Sequence, residues 1–583
     1  LLLLVTLGCA NAQVNDLLVR KMQSKYPDHK AVFLKKKKKV KIKFHKKKGF
    51  LITNTHYSEM LHLGLHSQDY AKESISFSQF NTILNAKAYT CVPQKRRYKK
   101  QKVEQFIVND VVEDDVFYND VKEKIFYFPN ISPGAKTILN YKEQILQARF
   151  LSGFYFGSYV PVMESELVVE VPNNVDLLYE LMGEGTDKIQ FTKKKKLTKT
   201  IYKWTISDVD AFKFPKNAPN LNYYQPHIIL RIGKFSDQNL LTDINDLYKW
   251  YYHFVQPIDE AKNTKLQSLV ESLTAHLESP LEKAKAIFYW VEDNIQYIAF
   301  EDGLRGFRPD FAENVAQKRY GDCKDMTSLL VAMLRLAKIP AYFTWIGSRD
   351  IPYTYEKVPT PLVDNHMIVS AVIDSSYYFL DATANYLSFG KPSYFIQSKQ
   401  ALIGKGTDDY EIATIPTLSK NENTFLDTCY LTIGEEGALY GKGKITLSGY
   451  PKNRITSHLL RASPKTTKNQ ITKLLKGKNH NLQVTDYELI NLENKEKPLE
   501  INYELDLTNY YQSLATNNSE TTIYLNLNIN TLWRNELIPN DRQIDSENKY
   551  KFVDNRHYIL NLPETVQLKH LPPNAEYKGD IFG

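Results

Sequence analysis

Short runs of alternating apolar and polar residues fill two long stretches of the chain and limit the folds open to it. They run from residue 31 to about 235, for example at 123–128, 166–171 and 201–206, and they return after about residue 410. Alternation with a period of two is typical of strands that bury one face, and frequent turns between short strands favour antiparallel sandwiches. The 39 tyrosines support this prediction, because Tyr suits half-buried sheet surfaces.

The region between these stretches has helical spacing. Ser279 followed by Pro280, with Glu282 three residues after Ser279, predicts a helix start with a capping box. A length of 583 residues also exceeds the roughly 150 residues of one domain. We therefore expect an α+β multidomain protein. It would have an N-terminal antiparallel β-sandwich at 13–240, an α+β core at 241–400 and a C-terminal β-sandwich at 401–583.

The positive charge of the chain is concentrated in one ribbon. The chain has 75 basic and 66 acidic residues, a net charge of +9, and residues 35–48 contain ten lysines and no acid, which leaves 9 − 10 = −1 elsewhere. Val40 and Ile42 alternate with Lys41 and Lys43, and this predicts a half-buried strand with a solvated lysine face. The distribution argues against a nucleic-acid partner. Contact with phosphate or an acidic polymer is the lesser alternative.

The start of the chain points to export. Residues 1–7 are apolar and Ala10-Asn11-Ala12 follows, which is typical of the end of a signal peptide cleaved after Ala12. We therefore predict a periplasmic or cell-surface protein. Gly8-Cys9 offers a lipoprotein alternative, with membrane anchoring only if Cys9 is lipidated. The missing initial Met and the turn-rich stretch 562–583 predict that the sequence is a fragment lacking residues at both ends, with a truncated C-terminal domain.

One of the four cysteines stands at a predicted helix start. Cys9, Cys91, Cys323 and Cys429 are widely spaced and do not suggest a disulfide framework, so at least one thiol of the mature chain is expected to be free or paired with another molecule. Apolar residues recur in steps of three and four from Met326, which predicts an amphipathic helix with Cys323 in its first turn. Helix N-termini favour thiolates and can receive an oxyanion.

A predicted hairpin supplies two further candidates. Apolar runs on either side of the turn 374–376 place His366 near the start of one strand and Asp381 near the end of the other. With a two-residue loop, the numbers of paired residues sum to 749 or 751, so His366 pairs with residue 383 or 385. Asp381 then lies two or four residues from that position, on the same face as His366. An offset of two leaves the His366 and Asp381 side chains within reach of each other. A thiol nucleophile needs such a base and base-orienter. The non-catalytic alternative is an inert buried thiol beside a His and an Asp that have structural roles. A zinc site is disfavoured because no short-spaced ligand pair occurs, and we predict no metal and no cofactor.

Four motifs in order resemble the transglutaminase-like superfamily of Cys-His-Asp enzymes. They are residues 286–297, Tyr-Gly-Asp-Cys-Lys-Asp at 320–325, Asn-His-Met at 365–367 and Leu-Asp-Ala-Thr at 380–383. The flanking segments resemble β-rich domains of unknown function in exported proteins of Bacteroidetes-type bacteria. The resemblance implies a papain-like core, with Cys323 as nucleophile, His366 as general base and Asp381 as the orienting acid.

The resemblance also implies attack on an amide carbonyl of a protein or peptide substrate and a thioester intermediate. Hydrolysis, deamidation and acyl transfer to an amine all remain open, with water slightly favoured as the acceptor. The side chain that completes the oxyanion site is open among Trp290, Gln296 and Tyr297. The alternative function is a non-catalytic exported scaffold that binds a polymer or protein and retains a vestigial core.

Overall fold

The computed structural model divides the chain into two compact units. One holds residues 1–383, 395–417 and 543–547, and the other holds the remainder. The domain boundaries predicted at residues 240 and 400 are finer than this division and stay predictions. The predicted signal segment at residues 1–12, with Cys9, lies outside the described residues. The structure describes residues 13–47, 49–94, 97–111, 116–151, 153–476, 480–517, 520–526, 529, 542, 544–574 and 576.

The first unit begins with a helix and a β-sandwich. The helix is Gln13–Lys25, and the larger sheet has eight strands. In spatial order they are Gln190–Lys195, Lys199–Val209, Val162–Pro172, Ala31–His45, Gly49–His62, Lys136–Ile145, Asn81–Pro93 and Tyr98–Lys102. Facing it are Phe154–Tyr155, His227–Phe235 and Val175–Met182, with Gln238–Asn239 at one end.

The two sheets enclose one apolar core, and this confirms the predicted sandwich. Val40, Trp204 and Ile232 are among its fully buried side chains. A three-stranded sheet covers another part of the large sheet through Ile75 and Phe126; its strands are Lys72–Phe77, Lys122–Tyr127 and Ile107–Asp110. The prediction of antiparallel strands was wrong for one strand pair of the large sheet. Strand Ala31–His45 pairs in parallel with Val162–Pro172, a contact between segments too distant in sequence for a hairpin pattern to reveal.

The lysine ribbon forms the strand that alternation predicted, with one correction. Val40 and Ile42 are buried, whereas Lys41 and Lys43 are exposed. Lys38, however, faces inward and is only 3% exposed, so not every lysine of the ribbon is solvated. Its ammonium group donates to the carbonyl oxygen of Gly153 at 3.0 Å, which offsets part of the cost of burial. Burial nevertheless lowers the pKa of Lys38 to about 8.

The central part of the first unit has helices packed on an antiparallel sheet. The predicted helix start at Ser279 is confirmed, because its hydroxyl accepts from the Glu282 amide at 3.1 Å. The helices are Ile244–Asp259, Gln267–Thr274, Pro280–Asn294, Ala312–Lys318 and Cys323–Leu336. The sheet order is Ser376–Leu380, His366–Ile373, Ala341–Ile346, Gln400–Gly404 and Tyr410–Thr414. Two short parallel pairs join Gln296–Tyr297 to Tyr320–Gly321, and Ala299–Glu301 to Val116–Asn119.

The second unit is β-rich, but its second layer is helical in the part that the structure describes. The five-stranded sheet runs Leu482–Ile490, Leu499–Leu507, Leu439–Leu447, Thr424–Ile433 and Val553–Asn561, and Gln512–Asn517 pairs with Glu520–Tyr524 beside it. Helices Gly449–Leu459 and Pro464–Lys476 pack on the sheet through Ile455 and Ile471. This differs from the expected two-sheet sandwich. The two helices supply the cover that a second sheet would provide. Strand Val553–Asn561 lies at the sheet edge with Ile559 partly exposed.

Within the described ranges, no helix combines the length and the apolar character needed to cross a membrane.

Candidate active site

The helix Cys323–Leu336, called here the Cys helix, begins at the cysteine for a local reason. Asp322 is extended and caps the helix, and its carboxylate accepts from the Asp325 amide at 3.3 Å. Gly321 is required before it, because a Cβ at this position would lie 2.6 Å from the Cβ of Asp325. Cys323 is a free, half-buried thiol. It therefore stands where the helix has unpaired N–H groups and positive dipole charge.

The approach to the Cys helix is also fixed by backbone pairing. Residues Tyr320–Gly321 lie parallel to Gln296–Tyr297, and the Ile298 amide donates to the Gly321 carbonyl at 2.9 Å. Downstream, Thr327 Oγ1 donates to the Met367 carbonyl at 3.1 Å, which ties the Cys helix to the strand that starts at His366. These two contacts, one before and one after Cys323 in the chain, fix the position of its thiol.

A buried ion pair adjoins the thiol. Lys324 and Asp322 are 6% and 4% exposed, and the Lys324 ammonium group binds the Asp322 carboxylate directly. Burial lowers the pKa of Lys324, but the charges of Asp322 and Cys323 outweigh burial and raise it above its ordinary value. A permanent cation therefore lies one residue from the candidate nucleophile.

The hairpin has one of the two predicted registers. Ile373 pairs with Ser376, so paired numbers sum to 749, and Asp374 and Ser375 form the two-residue turn with positive φ values of 49° and 61°. His366 begins its strand, and Asp381 directly follows the partner strand. This register places the two side chains on one face of the sheet at neighbouring positions.

His366 and Asp381 form a buried pair. His366 Nε2 lies 3.0 Å from Asp381 Oδ2, and the side chains are 9% and 1% exposed. The other carboxylate oxygen, Oδ1, accepts from the Thr383 amide at 3.1 Å and from its hydroxyl at 2.6 Å. Because both oxygens are engaged, the carboxylate cannot rotate away from the imidazole. The Phe395 ring packs edge-on to His366 at 5.3 Å between centroids.

The imidazole interacts with both of the other candidates. Burial lowers the pKa of His366, but the charge and hydrogen bond of Asp381 and the neighbouring Cys323 thiol outweigh burial and raise it to about 10. The structure therefore brings together all three residues that the sequence selected. Their catalytic roles are part of the proposal below.

A buried polar cluster that the sequence did not reveal lies beside the same strand. Tyr355 Oη lies 2.6 Å from Asp364 Oδ1 and 3.0 Å from the Trp345 carbonyl oxygen, and its one proton is donated between these acceptors. Burial raises the pKa of Asp364 to about 7, although the hydrogen bond from Tyr355 opposes the shift. No sequence signal marks Asp364, whereas the Asp-Ala-Thr motif could have revealed Thr383, since Asp side chains often bond the amide two residues on.

The three candidates for the oxyanion site differ in position. Gln296 and Tyr297 are exposed on the short strand that pairs with Tyr320–Gly321. Trp290 lies in helix Pro280–Asn294, where the Arg319 guanidinium stacks over its ring at 4.8 Å. None of these positions selects one of the three, and all three stay candidates for this role. Within the part of the chain that the structure describes, no group of three His, Cys, Asp or Glu side chains could hold a metal ion.

Two sequence families match parts of the first unit. The transglutaminase-like superfamily matches residues 267–382, which include Cys323, His366 and Asp381. A domain of unknown function with solved structures, DUF3857, matches residues 67–213 in the N-terminal β region. The predicted resemblance to a transglutaminase-like core beside a domain of unknown function is confirmed by these matches.

A solved structure shows a similar fold. A proposed protease from Parabacteroides distasonis is 14% identical with a TM-score of 0.53, over 82% of this chain and 93% of that one. A proposed cysteine protease from Cytophaga hutchinsonii is 12% identical with a TM-score of 0.17, over 54% of this chain and 72% of that one. No curated protein matches the chain significantly. At this identity, the first similarity shows the fold alone.

Proposed function

From the membership of residues 267–382 in the transglutaminase-like superfamily, we propose that this protein is a cysteine enzyme acting on amide bonds of proteins or peptides. The observation that carries the proposal is the buried His366–Asp381 pair beside the Cys323 thiol at a helix N-terminus. A scaffold would have no need to bury an imidazole with a carboxylate next to a free thiol. The arrangement supplies a nucleophile, a proton carrier and its orienting acid.

In the proposed reaction, the proton of the Cys323 thiol is held by His366, and the thiolate sulfur attacks the amide carbonyl carbon and forms a carbon–sulfur bond. The carbonyl electrons move to oxygen, and the oxyanion is stabilised by N–H groups at the start of the Cys helix. Collapse of the tetrahedral intermediate breaks the carbon–nitrogen bond and leaves a thioester, and His366 gives its proton to the departing amine. His366 then takes a proton from water or from an acceptor amine, which attacks the thioester and releases Cys323.

The proton that His366 gives to the departing amine is already in place before the attack. With its pKa raised to about 10, His366 is an imidazolium at neutral pH. An imidazolium beside the thiol favours the nucleophilic thiolate and is ready to protonate the leaving amine. Asp381 keeps the ring oriented for both transfers.

We further propose that the protein acts outside the cytoplasm. The support is the apolar stretch 1–7 followed by Ala10-Asn11-Ala12, a pattern typical of exported proteins. The natural substrates would then be exported or cell-surface proteins and peptides.

One experiment separates the possible reactions. Unfolded casein is incubated with the wild type or with Cys323→Ala, with and without a fluorescent primary amine. New N-termini indicate proteolysis, Gln-to-Glu conversion indicates deamidation, and incorporated amine indicates acyl transfer. We expect at least one of these products with the wild type and none with the variant. Equal product from both proteins would contradict the proposal, and absence of all three would favour the scaffold alternative.

A further inference from the structure

The outer face of the large sheet carries a groove that the proposed reaction does not use. It has a volume of about 310 Å³, and four lysines surround a floor of two threonines and a leucine. The lining residues are Lys39, Lys41, Lys43, Leu51, Thr53, Thr55 and Lys142.

Strand register explains why these lysines share one face. Lys41 pairs with Thr53, and Lys39 pairs with Thr55, which in turn pairs with Lys142 on the next strand. The residues between the lysines, Val40 and Ile42, point into the apolar core. Because side chains alternate across a strand, burial of the valine and isoleucine forces the lysines outward.

The lysines on the two sides of the groove differ in whether acidic side chains neutralise their charge. On the neighbouring strand Val162–Pro172, Glu166 and Glu170 each bind two lysines at 2.6–3.5 Å, and one of those lysines is Lys39. Lys41, Lys43 and Lys142 form no ion pair with any residue that the structure describes. The acids of this sheet face are thus already neutralised, and the groove keeps unbalanced positive charge.

The spacing of these lysines matches the spacing of acidic groups in one kind of partner. Lys39, Lys41 and Lys43 are two residues apart on one strand, which corresponds to about 6.8 Å. An extended polypeptide with acidic side chains at alternate positions has the same spacing, and the hydroxyls of Thr53 and Thr55 on the floor can bond to its polar groups. No aromatic or arginine side chain lines the groove for base stacking, so a nucleic acid fits less well.

We propose that this groove binds acidic segments of extended polypeptides. The site is separate from Cys323 and its partners, and it does not depend on the proposed amide chemistry. Binding through exposed lysines is electrostatic, so it weakens as salt concentration rises.

The test uses the full chain carrying Cys323→Ser, so that no peptide is consumed and loss of binding says nothing against the proposed reaction. The probe is a fluorescent peptide in which glutamate alternates with threonine, followed by anisotropy. The groove variant combines Lys41→Gln, Lys43→Gln and Lys142→Gln. The matched control combines Lys194→Gln, Lys195→Gln and Lys196→Gln. It removes the same charge from exposed lysines of the outermost strand and its turn, which also lack ion pairs among described residues.

We expect the groove variant to bind about tenfold more weakly and the control to change less than about twofold, because three exposed charge pairs are lost in the first case only. A peptide of the same composition with its glutamates in one block should also bind more weakly. Melting temperatures of both variants establish that they are folded. Equal losses in the two variants, equal binding of the two peptides, or tighter binding of a single-stranded oligonucleotide than of the acidic peptide would each overturn the proposal.

Discussion

The Asp381 carboxylate controls the charge of His366 because water is excluded from their contact. The two side chains are 9% and 1% exposed, so their attraction is screened far less than that of a surface pair. Removing one partner of a buried pair typically costs about 3–5 kcal/mol, because the remaining charge is left uncompensated.

We predict that Asp381→Asn destabilises the protein most at low pH. His366 has a folded pKa of about 10, above its unfolded value of about 6.5. Its contribution to stability is therefore fully present below about pH 6.5 and is lost as pH rises through 10. Urea unfolding near pH 6 should show a loss of about 3 kcal/mol that shrinks toward pH 10. Activity should fall by about 10²–10⁴.

The matched control is Asp374→Asn in the turn of the same hairpin. This residue is exposed and has a positive φ that Asn tolerates as well as Asp does. Stability and activity should be unchanged. Equal loss from both substitutions would show that the Asp381 effect is not due to the ion pair.

Asp364 should also make the folded protein more stable at low pH than at high pH. Its folded pKa of about 7 lies above the ordinary value of about 3.9, so the folded state holds the proton more tightly. The free energy of unfolding should therefore fall as pH rises from about 4 to 7, by up to about 1.4 kcal/mol per pH unit. In Asp364→Asn, which keeps an acceptor for Tyr355, this part of the slope should vanish. Urea unfolding at about pH 5 and pH 8 measures the difference, and identical slopes would refute it.

At the scale of elements, sequence patterns located the parts of the site that depend on local chemistry. The apolar spacing after Met326 and the Gly321-Asp322 approach predicted the start of the Cys helix, and the apolar runs around residues 374–376 predicted the hairpin. Lys38 and Asp364 escaped prediction because only packing against distant segments decides that their polar groups are buried. Periodicity reports the faces of an element and not what covers them.

The first turn of the Cys helix depends on the absence of a side chain at Gly321. Gly321→Ala places a Cβ within 2.6 Å of the Asp325 Cβ, so the first turn must shift. We expect a loss of about 1–3 kcal/mol in unfolding free energy and slower reaction of Cys323. Gly306→Ala is the control, since a Cβ there meets no atom within 4 Å. Circular dichroism melting and thiol labelling check both variants, and similar behaviour of the two would contradict the steric argument.

At the scale of the whole molecule, the order of β-rich, mixed and β-rich regions followed from the sequence. The pairing between distant segments did not. Strand Thr424–Ile433 lies parallel to Val553–Asn561, and Ala31–His45 lies parallel to Val162–Pro172. Neither pair is joined by a hairpin, so no turn signal announces it. Helix Gly449–Leu459 of the second unit was missed because the weak periodicity at 449–459 was not recognised.

The two free thiols among the described residues should separate activity from stability. Cys323 is half-buried at a helix start, so Cys323→Ala should abolish activity and change the melting temperature by less than about 2 °C. Cys429 is fully buried in the core of the second unit, where Cys429→Ala leaves a small cavity. That variant should melt at lower temperature and keep its activity. Scanning calorimetry and the casein assay give both readouts, and the reverse pattern would mark Cys323 as structural.

The central claim is that His366 activates the Cys323 thiol, and thiol alkylation tests it most directly. Native protein is treated with iodoacetamide at about pH 6, where an ordinary thiol is almost fully protonated, and the labelled peptides are quantified by mass spectrometry. Cys429 is the internal control, since burial raises its pKa to about 11. We predict that Cys323 is labelled well before Cys429, and that His366→Ala slows its labelling by at least about tenfold. Labelling of Cys323 at the rate of an ordinary thiol, or at a rate that His366→Ala leaves unchanged, would contradict the account.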